Sequence, residues 1–355
     1  LTIDLPEGYY KAVEVQAPDK YDIENKEYYF GIGGSREGGR IETLWAKSIG
    51  GTTSDYIETV SETPDGGYIA RGYVNGNKKI KYSSEGEVEW TEIIEGIPET
   101  ETSDGGNIKG GNFSSRTIDL GNGVILTNHS TDGNDRDGKL VKYNAEGEVE
   151  WAKCIGGNYN DSIELVKETK DGGYIITGKF SSDSIKLENG KELINHGETT
   201  STPSQSGAII RYSIDSMIIK YSQSGEVEWA KAIGGSANDF IESVSETSDG
   251  GYLIGGYFYS SIIYLGKGET LTNSSSSTSS SDGMVIKYSN SGEVEWAKTI
   301  GGDYNEAIKS ITDTIDGGYI IGGKFESKEI NLEKRNNINK CFKSAPIMGK
   351  DSWIL

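Results

Sequence analysis

The pentapeptide Gly-Glu-Val-Glu-Trp occurs four times in this chain of 355 residues, starting at Gly86, Gly147, Gly225 and Gly292. Each copy heads the same longer phrase, and a decayed copy, Arg40 to Trp45, precedes them. Repetition at a spacing of tens of residues means one supersecondary unit used many times. Aligned on the tryptophan, the unit reads Trp-Ala-Lys-x-Ile-Gly-Gly, a polar stretch with an acid, Ile-x-x-Val, and then Glu-Thr-x-Asp-Gly-Gly-Tyr-Ile-Ile-x-Gly. A variable segment follows, then Ile-Lys-Tyr and a polar turn into the next Val-Glu-Trp. Trp45, Trp90, Trp151, Trp229 and Trp296 are unequally spaced. That excludes a stack of identical coils and fits a fixed core with one elastic loop.

Each piece of the unit has a strand or turn signature. The stretch from Asp55 to Glu62 is rich in β-branched residues and ends at Asp65-Gly66-Gly67. Asp-Gly and Gly-Gly supply the positive φ angles of tight hairpin turns. The same turn recurs at Asp104, Asp171, Asp249 and Asp316. A second strand follows it (Gly251 to Phe258), then a third (Met284 to Tyr288) and a fourth (Glu293 to Ile300). No stretch keeps apolar residues at helical spacing.

Four antiparallel strands per repeat, arranged radially, define a β-propeller, and the expected fold is all-β. Second strands such as Tyr252 to Phe258 are apolar or glycine nearly throughout, as expected where both faces pack on neighbouring blades. Burying each tryptophan between blades contributes about 2–3 kcal/mol from area alone. Six blades are expected, over residues 6–50, 51–95, 96–156, 157–234, 235–301 and 302–355. Lys350 to Leu355 begins the third strand of the last blade, and residues 1–5 supply its closing strand, which removes exposed edges. The competing expectation is a piece of a longer repeat array. The third repeat lacks the Ile-Gly-Gly phrase and the acid, and gains Pro98, so its innermost strand is expected to be short.

The phrase Trp-Ala-Lys-x-Ile-Gly-Gly … Glu-Thr-x-Asp-Gly-Gly-Tyr-Ile resembles the bacterial β-propeller repeats of large secreted and cell-surface proteins, similar to the SBBP-type repeat family. The likeness covers about 9–355. It implies an extracellular module, often one part of a larger surface protein, and brings no catalytic residues with it.

Net charge is −20 and the pI is near 4.6. Such acidity repels nucleic acid and anionic lipid, so neither is an expected partner. No apolar run is long enough to span a membrane as a helix. The chain begins at Leu1 with no visible signal peptide, which fits a processed product. The two cysteines, Cys154 and Cys341, suggest neither a disulfide framework nor a zinc motif. Cys154 stands where Ser48, Ala232 and Thr299 stand in other repeats, as a small packing residue. The sequons at Asn112, Asn128, Asn160 and Asn273 arise easily in such polar sequence and carry no weight.

Between the second and third strands, four repeats carry an insert: 114–128, 185–195, 262–273 and 330–337. The first contains Gly121-Asn122-Gly123 between apolar residues, a hairpin signature. These hairpins are expected to crown one rim together with the loops after Ile-Gly-Gly.

The acid after Ile-Gly-Gly recurs as Asp55, Asp161, Asp239 and Glu306, where the innermost strand begins. A ring of such carboxylates is a candidate site for Ca²⁺, which takes about six to eight oxygens. The bland reading is that each caps its own turn by accepting backbone N–H groups. A second recurrent acid, Asp137, Asp215, Asp282 and Asp351, opens the third strand and reads as a structural hydrogen bond. Asp132 to Asp137 is aspartate-rich but lacks the pattern of an EF-hand loop. The two histidines, His129 and His196, read as lying at non-equivalent positions of polar inserts, and no nucleophile or phosphate-loop motif occurs. The leading expectation is therefore an extracellular binding or adhesion module, not an enzyme, that recognises a glycan or protein through the insert-bearing face. It would be a monomer or one part of a larger multidomain chain. The alternatives are a structural spacer, and a hydrolase or lyase with paired acids in an axial channel.

Overall fold

A computed structural model describes residues 56–63, 65–73, 77–93, 99–130, 135–197, 200–204, 207–211, 213–274, 279–313, 318–327 and 351–354. Every regular element among them is a strand. No helix among them is long and apolar enough to cross a membrane. The chain divides into two compact units, Leu1–Gly96 and Ile97–Leu355. Sheets are numbered here by the repeat that forms them. The blade expected over 6–50 and the closing strand over 1–5 lie outside the described residues.

In the smaller unit, the second repeat forms an antiparallel sheet of β1 (Tyr56–Glu62), β2 (Tyr68–Tyr73), β3 (Asn77–Tyr82) and β4 (Val88–Ile93), in that order. In the larger unit, the fourth repeat forms β12 (Asp161–Glu168), β13 (Tyr174–Phe180), β18 (Asp215–Tyr221) and β19 (Val227–Gly235). The fifth forms β20 (Asp239–Glu246), β21 (Tyr252–Phe258), β24 (Asp282–Tyr288) and β25 (Val294–Ile300). Their registers match: Phe180 pairs with Asp215, and Phe258 with Asp282. The sixth repeat contributes β26 (Glu306–Asp313), β27 (Tyr319–Phe325) and β28 (Asp351–Ile354), with Phe325 opposite Asp351. These sheets are β-propeller blades, and the fold is all-β.

The third repeat is the irregular one. Its innermost strand, β5 (Glu99–Glu101), has three residues. Its second strand is broken into β6 (Asn107–Lys109) and β7 (Asn112–Phe113), while β10 (Asp137–Tyr143) and β11 (Val149–Ile155) are regular. The loss of Ile-Gly-Gly in the sequence before it thus appears as a shortened strand.

Tryptophan locks each sheet of the larger unit to the next. Trp151 packs on Tyr174 and Tyr221 of the fourth sheet, and its indole N–H donates to the Gln223 carbonyl at 3.2 Å. Trp229 repeats this on Tyr252 and Tyr288, donating to Asn290 at 2.8 Å. Trp296 packs on Tyr319. The glycine heading the next Gly-Glu-Val-Glu-Trp must be glycine. At Gly225 and Gly292 φ is positive, and a Cβ would lie 2.8 and 2.5 Å from the indole of the preceding sheet. Further in, Gly255 leaves room for Ile308 of the following sheet, whose methyl would sit 2.6 Å from a Cβ. The core clusters therefore run across sheet boundaries.

The inserts do not stand free on a rim, as the sequence suggested. In the fourth repeat β14 (Ser184–Lys186) and β15 (Glu192–Ile194) form a hairpin laid lengthwise on the outer strand of its own sheet. Near its tip, Asn189 Nδ2 donates to the Val227 carbonyl and Lys191 Nζ to that of Glu228, both at the start of β19. Its base meets the end of β11, where Ser184 O approaches Gly157. In the fifth repeat β22 (Ile262–Gly266) pairs directly with β19, Tyr264 opposite Gly234. β22 and its partner β23 (Glu269–Thr272) show period-two alternation. Ile263, Leu265 and Leu271 are buried in the core, while Ile262 and Tyr264 face solvent. Ile185, Leu187 and Leu193 do the same in the fourth repeat. Radially arranged blades diverge outward, and these hairpins fill the gap between successive outer strands.

Candidate functional site

At one end of the second to fifth sheets the repeated phrase builds a charged latch. In the fourth sheet the buried Lys220 ammonium contacts Asp171 at 3.0 Å and Glu228 at 3.3 Å. Asp171 Oδ1 also accepts from Thr169 Oγ1 and from Gly173 N. Lys81, Lys142 and Lys287 repeat the arrangement with Asp65, Asp104 and Asp249. The Lys142 ammonium, Thr102 and the Gly106 N–H hold the Asp104 carboxyl down at about 2. The Thr247 hydroxyl, the Gly251 N–H and Lys287 likewise depress Asp249. The second glycine of Asp-Gly-Gly is what admits the lysine: a Cβ at Gly173 would lie 2.3 Å from Lys220 Nζ. Four copies of one latch point to architecture, since a ligand site needs only one.

The opposite end carries the predicted metal residues. Asp161 Oδ2 accepts from Gly157 N at 2.8 Å and Ser182 Oγ at 2.7 Å, and Oδ1 accepts from the Ser181 and Ser182 N–H groups. Asp239 makes the same four bonds with Gly235, Tyr259 and Ser260. Glu306 accepts from Gly302, Glu326 and Ser327. Burial pushes Asp161 and Asp239 up to about 7, against the donors that favour the charged form. Each carboxylate thus ties its own turn to the end of its own second strand. These three acids form no cluster of metal-capable groups among the described residues. Asp55 lies outside the described residues.

The second recurrent acid is placed differently. Asp137, Asp215 and Asp282 are fully buried, each pressed against the first glycine of Ile-Gly-Gly. A Cβ on Gly156, Gly234 or Gly301 would lie 2.1–2.4 Å from the carboxyl carbon, so this glycine is also obligatory. One oxygen of each aspartate accepts from the chain just after the insert. Asp137 Oδ2 accepts the His129 N–H at 2.7 Å, Asp215 Oδ2 the His196 N–H at 2.8 Å, and Asp282 Oδ2 the Ser274 N–H at 2.6 Å. The preceding asparagines are hooks. Asn128, Asn195 and Asn273 each donate to the phenylalanine carbonyl ending the second strand (Phe113, Phe180 and Phe258). The two histidines are therefore equivalent, contrary to the sequence reading. Eight residues separate histidine from aspartate in the third repeat and nineteen in the fourth. The difference is an extra hairpin, β16 (Thr200–Ser204) with β17 (Gly207–Arg211), looped out between them.

In the third sheet alone, Cys154 completes the group. Its Sγ lies 3.2 Å from Asp137 Oδ2 and 3.5 Å from His129 Nδ1, while His129 Nδ1 lies 2.7 Å from Asp137 Oδ2. These side chains are the one set of three metal-capable groups that come together among the described residues. The hydrogen bond to Asp137 raises the His129 pKa, and burial pushes the Cys154 thiol up. The set is not a nucleophile–base–acid relay. Thiol and carboxylate meet the same imidazole nitrogen, whereas a relay needs one on each. Sequence reading missed it because the three residues lie in a loop and two strands. Aligning the Asn-His, Asn-His and Asn-Ser pairs after the inserts would have placed two of them.

No protein-family profile matches the chain. An uncharacterized WD repeat-containing protein of Acanthamoeba polyphaga mimivirus is 25% identical over 221 residues, a match spanning 57% of this chain and 15% of that protein. Among solved structures, BamB from Moraxella catarrhalis is 10% identical with a TM-score of 0.32, covering 81% of this chain and 86% of that one. A Bacteroides caccae protein of unknown function is 12% identical with a TM-score of 0.26, covering 73% and 86%. Scores this low do not bear on function. The chain is an internally repeated β-propeller, a fold that serves as a binding or scaffold module.

Proposed function

We propose that the chain is an extracellular binding or adhesion module that recognises a glycan or protein partner through its insert-bearing side. One observation carries the reading. Among the described residues of the larger unit, the strongly exposed large apolar side chains are Ile125, Ile194, Ile262, Tyr264 and Tyr304. The first four lie on insert hairpins, Ile125 on that of β8 (Thr117–Asp119) and β9 (Ile125–Thr127). Tyr304 lies in the loop after Ile-Gly-Gly, which leaves the sheet at the same end as the inserts begin. Apolar groups gathered on one kind of element are a recognition signal, whereas scattered ones are not. Tyrosine faces suit both sugar rings and protein partners. The net charge of −20 argues against nucleic acid as the partner.

The test is a glycan array and a surface-protein display screen with the full chain, repeated with an Ile194→Ser, Ile262→Ser, Tyr264→Ser variant. Any ligand found should bind the variant at least about tenfold more weakly. Equal binding by the variant, or no ligand in either screen, sinks the reading. The buried faces of the same hairpins favour a second reading, a spacer whose inserts only seal the blades; it takes over in that event.

A further inference from the structure

We propose that His129, Asp137 and Cys154 form a binding site for a divalent transition ion of borderline softness, of the Zn²⁺ class. His129 directly follows the insert of the third repeat, so the site borders the insert-bearing side.

The donor set selects the ion. One imidazole nitrogen, one carboxylate oxygen and one sulfur suit Zn²⁺ and its neighbours, whereas Ca²⁺ and Mg²⁺ need oxygens in larger number. The spacing is also right. Around a tetrahedral Zn²⁺ with bonds of about 2.0 Å to nitrogen and oxygen and about 2.3 Å to sulfur, ligand atoms lie about 3.3–3.6 Å apart. The sulfur here is already 3.5 Å from the nitrogen and 3.2 Å from the oxygen. The 2.7 Å His129–Asp137 pair must open by about 0.6 Å, and the sulfur–oxygen pair by about 0.3 Å.

The frame is rigid. Asp137 opens β10, and Cys154 sits on the adjacent β11, opposite Lys139. His129 is held by its own N–H on Asp137 and by the Asn128 hook, which reaches both Phe113 O and Asp135 O. Asp137 is fully buried, and its second oxygen has no hydrogen-bond partner among the described residues. A buried carboxylate with one oxygen unpartnered has room for a further positive charge, and a cation supplies it. The imidazole is half exposed, which gives an ion a way in and leaves room for a solvent ligand.

Protons balance without any redox step. The thiol proton leaves to solvent as the sulfur binds. The proton that His129 Nδ1 donates to Asp137 also leaves Nδ1, and the neutral imidazole then carries its one proton on Nε2, so Nδ1 presents its lone pair, while Asp137 Oδ2 retains the His129 N–H on its other lone pair.

The sister sheets are built-in controls. The fourth has His196 and Asp215 but Ala232 in place of the cysteine, and Tyr264 stacks on His196 with centroids 5.1 Å apart. The fifth has Ser274, Asp282 and Thr299. Their aspartates are equally buried, so the aspartate alone is architecture and the added cysteine makes the difference.

The experiment uses the full chain in a Cys341→Ala background, stripped of metal and kept reduced. Cobalt(II) should give a thiolate-to-cobalt charge-transfer band saturating at one ion per chain, and Zn²⁺ should abolish it by displacement. Cys154→Ala and His129→Ser install residues that the sister sheets already carry, and folding is checked by circular dichroism. Each should weaken Zn²⁺ binding by more than about 100-fold, beyond the cost of losing a mere supporting partner. Ala232→Cys should create a second cobalt–thiolate site. A folded parent with no such band, or Zn²⁺ binding unchanged in Cys154→Ala, overturns the proposal. The parent spectrum decides the matter even if a variant fails to fold.

Discussion

The third and fourth sheets share an aspartate, a histidine and an asparagine hook in the same geometry, and differ at one small outer-strand residue. In the third sheet that residue is Cys154, and three ligand-capable groups converge. In the fourth it is Ala232, and the histidine is covered by Tyr264 from the next insert. The corresponding position of the insert beside the third sheet is the exposed Lys186, and His129 stays open. The lesson is that a repeat fixes positions before it fixes chemistry. A single substitution at a structurally idle position can turn a buried hydrogen bond into a donor set.

The comparison breaks most severely at what the two sheets have in common. Asp137→Ala and Asp215→Ala each strand the N–H and Nδ1 of the preceding histidine, His129 or His196, and should cost about 3 kcal/mol in urea denaturation. A large inequality between them would show that the sheets are not equivalent. Next, Gly156→Ala and Gly234→Ala drive a Cβ into the same aspartates, at 2.4 and 2.2 Å, and should each cost about 1–3 kcal/mol. Smallest is Tyr264→Ser, which removes the ring over His196 and should cost about 1 kcal/mol while leaving the imidazole resonances of His129 unmoved in NMR spectra.

Titration sharpens the contrast between the two ends of each sheet. Asp161 and Asp239 keep their protons up to about pH 7 in the native state, whereas the unfolded chain releases them near 3.8. Between those values the native state binds more protons, so stability falls as pH rises across that window. The melting temperature should be higher at pH 5 than at pH 7.5, and Asp161→Asn with Asp239→Asn should flatten that slope. The latch aspartates act oppositely. Asp104 is depressed to about 2, so its contribution is present above pH 4 and disappears as pH falls towards 2. A melting temperature that climbs steadily from pH 5 to pH 7.5 would contradict the first assignment.

Much of the fold was legible because each repeated residue answers a local demand. Asp-Gly-Gly marks the turn, and Val-Glu-Trp marks the outer strand. The short innermost strand of the third repeat followed from its missing phrase. The latch was not legible, because Lys220 in Ile-Lys-Tyr reads as an ordinary outward-facing strand lysine. Only the pairing of β13 with β18 brings it over Gly173. The inserts were recognised as hairpins, but their alternation belongs to surfaces supplied by other strands, so their lie along β19 was invisible. The equivalence of His129 and His196 was obscured by the inserted hairpin at 200–211.

Because Trp151 and Trp229 each dock on the tyrosine pair and turn of the following sheet, neither the third nor the fourth repeat is finished by itself, and the fourth and fifth repeats offer the same socket. Gene duplication can therefore lengthen such an array one unit at a time without designing a new junction. A crossover placed within the Gly-Glu-Val-Glu-Trp codons would preserve both halves of the coupling.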